Sequence, residues 1–159
     1  DHRDLHRLIR RQRQMCIRDR LLRMSLKLLG RERTLFLGLQ PKSREPELVL
    51  ASDIIAIPQR KTYATLGQVP AKVFTAMSME RPIIASAVSD LPIILRGCGL
   101  LVEPENVDDL MKGIAFLVSH PDKAKELGKR ARIKCVKEYS YQAVKPRLLR
   151  IVKRALEEK

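Results

Sequence analysis

Two short runs decide most of what this chain can fold into: DIIAIP, Asp53 to Pro58, and RPIIAS, Arg81 to Ser86. Each sets apolar and β-branched residues side by side with no polar alternation. A strand with one wet face alternates, whereas a strand covered on both faces does not. The runs are too short for buried helices and are punctuated by proline, so they read as strands. GLLVEP, Gly99 to Pro104, has the same character, and TLFLG, Thr34 to Gly38, is expected to be the first strand of the set.

Helical spacing fills the gaps. In PAKVFTAMSM, Pro70 suits the first position of a helix. Asn106 is a good N-cap, with Asp108 and Asp109 in the dipole-favoured first turn. Val107, Leu110, Met111, Ile114, Ala115 and Val118 are the expected buried stripe of that helix. Another helix follows Pro121. A last one, Tyr141 to Glu157, carries Val144, Leu148, Ile151, Val152 and Ala155 on one face, with Pro146 placed to kink or delay it. Gln59 to Gln68 reads as a polar loop and Asp90 as a helix cap. Short buried strands alternating with helices specify an α/β fold, a Rossmann-like parallel sheet flanked by helices.

Such a sheet needs a real core, and 159 residues at 45% apolar supply one domain's worth. No apolar run is long enough to span a bilayer. Cys16, Cys98 and Cys135 are odd in number and widely spaced, which argues against a disulfide framework or a zinc site and for a reducing cytoplasm. The net charge is +14, and residues 1–34 contribute half of it, with 11 Lys/Arg against 4 Asp/Glu. The basic end carries no aromatics among its arginines and no recognition motif, so no specific nucleic acid is expected. Within it, QMCIRDR, Gln14 to Arg20, resembles the peptide produced when sequencing-adaptor DNA is translated inside assembled metagenomic reads. Residues 1–20 are therefore expected to be foreign to the domain and to pack poorly, leaving 21–159 as the domain proper.

In an open parallel sheet, ligands bind beyond the carboxyl ends of the strands. The loops after Gly38, Pro58 and Ser86 meet that description. The second leads into VPAKVFTAM, where the N–H groups of Ala71 and Lys72 lack helical acceptors and form an anion site with the helix dipole. Gly67 lets a backbone approach closely, and Lys72 adds positive charge. The chemistry this favours is a phosphate group.

The run from Leu35 to Tyr141 resembles the C-terminal, donor-binding domain of the group 1 glycosyltransferases of GT-B fold. The resemblance lies in FLG, LASDIIAIP, VPAKVFTAMSMERPIIAS, SDLPIIL, GCGLLVEPENVDDLMKGIAFLVSHPDKAKELGKRAR and EYSYQ, in that order. It implies a retaining transfer from a nucleotide-diphosphate sugar; no cofactor and no metal are expected. The implied donor-binding residues are Gly38, Leu39, Gln40, Gly67, Gln68, Pro70, Ala71, Lys72 and Thr75. It also implies an acidic residue at 75 for the ribose hydroxyls and often another at 67; Thr75 and Gly67 stand there instead. Glu80 occupies a position that is usually Gly or Ala, and Ile93 one that is usually Glu. No catalytic side chain is assigned.

In the family the acceptor site belongs to an N-terminal domain, absent here. The expectation is therefore a partial domain with a terminal crossover helix. It should bind donor weakly, be inactive alone and self-associate through its last helix. Its expected location is cytoplasmic, at most peripheral at the inner membrane surface. A non-catalytic nucleotide-binding or scaffolding module is the alternative, and a basic nucleic-acid-binding protein a further one.

Overall fold

The computed structural model describes residues 19–157. It divides into two units, Asp1–Gln40 and Pro41–Lys159. Among the described residues, no helix is long and apolar enough to cross a membrane.

In the first unit, helix α1 covers residues 19–29. Gly30 ends it at φ 77°, with its N–H bonded to the Leu26 carbonyl at 3.2 Å, a left-handed closure suited to glycine. A 3₁₀ turn, Arg31–Arg33, follows. The strand expected at Thr34–Leu37 does not form, and among the described residues this stretch pairs with no strand. Leu35 is 81% exposed, and Phe36 and Leu37 are exposed as well. Four extended residues gain nothing by themselves; a ladder neighbour and burial must offset the entropy of ordering them. Of the segment expected to be foreign, residues 1–18 lie outside the described residues.

The second unit is built on a three-stranded parallel sheet in the order β1 (Ile55–Ile57), β2 (Ile83–Ser86), β3 (Leu100–Val102). Ile55 pairs with Ile83 and Ile57 with Ala85; Ile84 pairs with Leu100 and Ser86 with Val102. Every residue of β2 is buried, as its unbroken apolar run requires. The helices are α2 (Glu45–Leu50), α3 (Tyr63–Leu66), α4 (Lys72–Ser78), α5 (Leu91–Ile94), α6 (Val107–Ser119), α7 (Pro121–Lys134) and α8 (Tyr141–Glu157). A π turn, Cys135–Tyr139, links the last two.

They cover both faces of the sheet. On one face Val73, Ala76 and Met77 of α4 and Leu91, Ile94 and Leu95 of the α5 region pack on Ile57, Ile83 and Ala85. On the other, Leu117 of α6 and Ala124 of α7 pack on Ile84 and Val102. Each fully buried Ile or Leu stabilises the fold by roughly 1.5–3 kcal/mol.

The buried line of α6 differs from the expected stripe. Gly113 and Leu117 are buried and Leu110 is half-buried, while Val107, Met111 and Val118 are exposed. Gly113 is the cause: a Cβ there would lie 2.5 Å from Ile84 Cδ1 and 3.0 Å from Leu100 Cδ2. The helix approaches the sheet along its glycine, which turns the seam away from Met111 and Val118. The Asn106 cap forms as expected, accepting from the Asp109 N–H at 3.0 Å.

Helix α8 spans the expected residues and runs through Pro146. None of its residues is buried; Val144, Leu148, Ile151 and Val152 are between 41% and 65% exposed.

Candidate functional site

Strands β1, β2 and β3 end together at Ile57, Ser86 and Val102 because the sheet is parallel and its register is short. A cleft of about 410 Å³ opens at these carboxyl ends, lined by Pro58, Gln59, Arg60, Ser86, Val102, Glu103, Glu105, Asn106, Val107 and Leu110. A second cleft, of about 440 Å³, lies at the amino ends, against Asp53, Ile54, Arg81 and Pro82. The carboxyl-end cleft is where loops of an α/β sheet converge on a ligand.

Ser86 anchors the loop that leaves β1. Its side chain is buried, and its Oγ accepts the Gln59 N–H at 3.0 Å. The side-chain oxygen of Gln59, Oε1, is buried without a hydrogen-bond partner. The stretch expected to be a featureless loop contains α3. Thr62 caps it, accepting from the Thr65 N–H at 3.3 Å, while Thr65 Oγ1 accepts the Thr62 N–H at 2.9 Å. This is a reciprocal capping box in which threonine replaces the usual Glu or Gln.

Gly67 ends α3 at φ −91°, and nothing lies within 4 Å of where its Cβ would be. Its backbone does not require glycine; the missing side chain leaves open space beside Gln68, which is exposed. Pro70 is buried and precedes the helix rather than opening it, because α4 proper begins at Lys72. The carbonyls of Pro70 and Ala71 take the N–H groups of Val73 and Phe74, both at 3.0 Å. The N–H groups of Ala71 and Lys72 precede these bonds, and both residues are exposed.

Thr75 sits one turn into α4 and is half-buried. Its hydroxyl donates to Oε1 of Glu45, the first residue of α2, at 3.0 Å. Nothing local in the sequence ties Glu45 to a residue thirty positions on. Gly38, Leu39 and Gln40 close the first unit. There Gly38 takes a left-handed φ of 67°, Leu39 is fully exposed, and the Gln40 side chain donates to the Leu37 carbonyl.

Two other features have structural explanations. Asp90 occupies the cap position of α5, but its side chain makes no capping bond; its carbonyl accepts from the Ile93 and Ile94 N–H groups. Burial pushes the thiols of Cys98 and Cys135 up, which keeps them protonated and poor nucleophiles.

The family model for group 1 glycosyl transferases matches residues 17–134, most of the chain. The chain belongs to that family. Solved structures agree on the fold. Sucrose-phosphate synthase from Thermosynechococcus elongatus superposes with a TM-score of 0.80 at 20% identity, over 91% of this chain and 35% of its own. The C-terminal domain of the group 1 glycosyltransferase LpcC from Francisella tularensis gives 0.70 at 18% identity, over 81% of this chain and 65% of its own. HepE from Anabaena, in complex with UDP, gives 0.70 at 16% identity, over 85% of this chain and 36% of its own. The chain thus spans little more than a third of sucrose-phosphate synthase and of HepE. No curated protein sequence matches it.

Proposed function

We propose that this chain is the donor-binding part of a retaining glycosyltransferase and holds a nucleotide-diphosphate sugar at the carboxyl ends of β1–β3. The observation that carries this reading is the position of the Gly67–Thr75 segment. It follows the loop anchored by Ser86 and carries Gly67 and the exposed residues Ala71 and Lys72 into the start of α4, within a family domain. HepE, which shares the fold, has been solved with UDP and with UDP-glucose. In this reading Gly67, Gln68, Pro70, Ala71 and Lys72 take the diphosphate and sugar.

Transfer needs the leaving diphosphate neutralised and the sugar held against an acceptor. The family resemblance gives the second task to another domain. The chain by itself therefore binds donor and does not transfer. Titration with uridine, guanosine and adenosine diphosphates, followed by NMR shifts, is expected to give a Kd in the millimolar range, about −4 kcal/mol. Radiolabelled donor is expected to show no transfer. Absence of binding to all three nucleotides would sink the reading, and turnover by the isolated chain would remove its second half.

The apolar face of α8 supports an interaction role. Val144, Leu148, Ile151 and Val152 leave a contiguous exposed stripe, which a soluble monomer does not normally present. A second copy of the chain covers it in this reading. Sedimentation is expected to show concentration-dependent association that Leu148→Lys weakens. A monomer at all concentrations would contradict it.

A further inference from the structure

The two edges of the sheet differ. Just past β3, the outward Glu103 N–H donates to Oδ2 of Asp109, in the first turn of α6, at 2.7 Å. The β1 edge has no such cover. The Ile55 N–H bonds to the Pro82 carbonyl at 2.9 Å, and the Gln59 N–H turns the same way to Ser86. In a ladder of this kind alternate residues bond the same neighbour, so the backbone groups of Ile54, Ala56 and Pro58 point away from β2. Among the described residues β1 pairs with β2 alone, the Ile54 and Ala56 N–H groups find no acceptor, and Ala56 is exposed. Open edges are usually blunted by charged side chains, proline or a bulge. Ile54, Ile55, Ala56 and Ile57 supply no charge, and Pro58 removes one outward N–H but leaves its carbonyl.

We infer that the β1 edge is an interface for β1 of a second copy, docked antiparallel about a two-fold axis at Ala56, so that two sheets join into one. A two-fold contact must be self-complementary, and this edge is. Each Ala56 exchanges N–H and C=O with its counterpart, and each Ile54 N–H meets a Pro58 carbonyl. Ile55 of each copy then lies opposite Ile57 of the other, extending a face on which Ile57 is buried and Ile55 partly so. Charge chooses the direction. Asp53 precedes the strand, and Arg60 and Lys61 follow it. Neither Asp53 nor Lys61 has an ion-pair partner among the described residues. Antiparallel docking sets the acidic end of each strand beside the basic end of the other, whereas parallel docking would set like ends together. This surface is distinct from the α8 stripe, and it does not depend on donor binding.

The test follows amide exchange on the full chain at rising protein concentration, carrying Leu148→Lys to weaken association through α8. The Ile54 and Ala56 amides are expected to exchange freely in dilute protein and to slow by roughly tenfold or more as the dimer forms. Ile55 and Ile57, which face β2, should be protected throughout. Ala56→Pro removes the outward N–H at a position where an edge strand tolerates proline. It is expected to weaken dimerisation, measured by sedimentation, by about tenfold or more; protected Ile55 and Ile57 amides show that the variant is folded. Asp53→Lys, at an exposed position, should weaken dimerisation by about threefold, and adding Lys61→Glu should restore it. Ile54 and Ala56 amides that exchange freely at every concentration overturn the inference, because the edge then stays in water. Protection that is the same at every concentration overturns it too, because residues of the same chain then cover the edge. A dimer unaffected by both Ala56→Pro and Asp53→Lys forms elsewhere and has the same consequence.

Discussion

Gly128→Ala is expected to lower stability by about 3 kcal/mol, the upper end of the usual cost of overpacking. A Cβ at 128 would fall 2.8 Å from the Glu80 carbonyl carbon and closer still to its oxygen. The obstacle is backbone, so no side chain can rotate out of the way. That backbone is itself fixed. The Arg81 N–H bonds to the Ala76 carbonyl at 3.1 Å and the Glu80 N–H to that of Met77 at 3.2 Å, which closes α4 with a Schellman motif. Glu80 stands at the left-handed position of that motif, at φ 55°. Arg132, one turn further along α7, binds the Ser78 carbonyl and pairs with Glu80 at 3.5 Å. Helix α7 must therefore tilt away, and Ala131 and Cys135, buried in the core on the α4 side of the sheet, lose contact. Native domains are stable by only about 5–15 kcal/mol, so the loss is large. It is read as a drop in denaturation midpoint with unchanged slope. A loss under about 1 kcal/mol would mean that α7 does not pack on this turn as closely as its glycine implies.

The same turn explains one departure from the family pattern. At position 80 the small residue is conformational: a helix closed this way needs φ above zero, which glycine adopts freely. Glu80 accepts the strain, about 1–2 kcal/mol for an L-residue, and its exposed pair with Arg132 returns little of that. The departure therefore costs stability rather than chemistry.

What the sequence makes legible follows from how local each signal is. β1, β2 and β3 could be read because consecutive buried residues have few other uses. The Asn106 cap was equally plain, being completed three residues away at Asp109. Thr34–Leu37 has a strand's composition, but pairing is a property of neighbours, and periodicity does not report them. The α6 stripe was misphased because Gly113 counts as a gap in an apolar pattern, although it makes the closest approach to the sheet. Helix α3 has only a faint signal, Thr62 and Thr65 at capping-box spacing with a hydroxyl in place of a carboxylate. The segment from Gly67 to Thr75, proposed to hold the donor, stands out in the sequence by its glycine, proline and lysine. The Glu45–Thr75 hydrogen bond is not legible there, because it depends on α2 and α4 packing side by side.

Ser86→Ala is expected to cost about 2 kcal/mol and to loosen the entrance to the proposed donor site. Ser86 is 3% exposed and is the one polar residue on a strand otherwise made of Ile83, Ile84 and Ala85. Its hydroxyl accepts the Gln59 N–H, two residues beyond the end of β1. Removing one hydroxyl leaves little cavity, so the penalty falls on the N–H, which loses its acceptor in a place water reaches poorly. Gln59 already holds a buried side-chain oxygen without a partner, so the loop has nothing to spare there. Amide exchange at Gln59 separates this account from a general loss of stability. In the wild-type protein the amide should be protected; in Ser86→Ala it should exchange roughly thirtyfold faster at a site that opens locally, while amides of β2 change far less. Nucleotide affinity should fall as well, because Gln59 starts the path to Gly67–Lys72. Unchanged protection at Gln59 would show that the loop is held by other contacts and that Ser86 is only a small residue in a tight place.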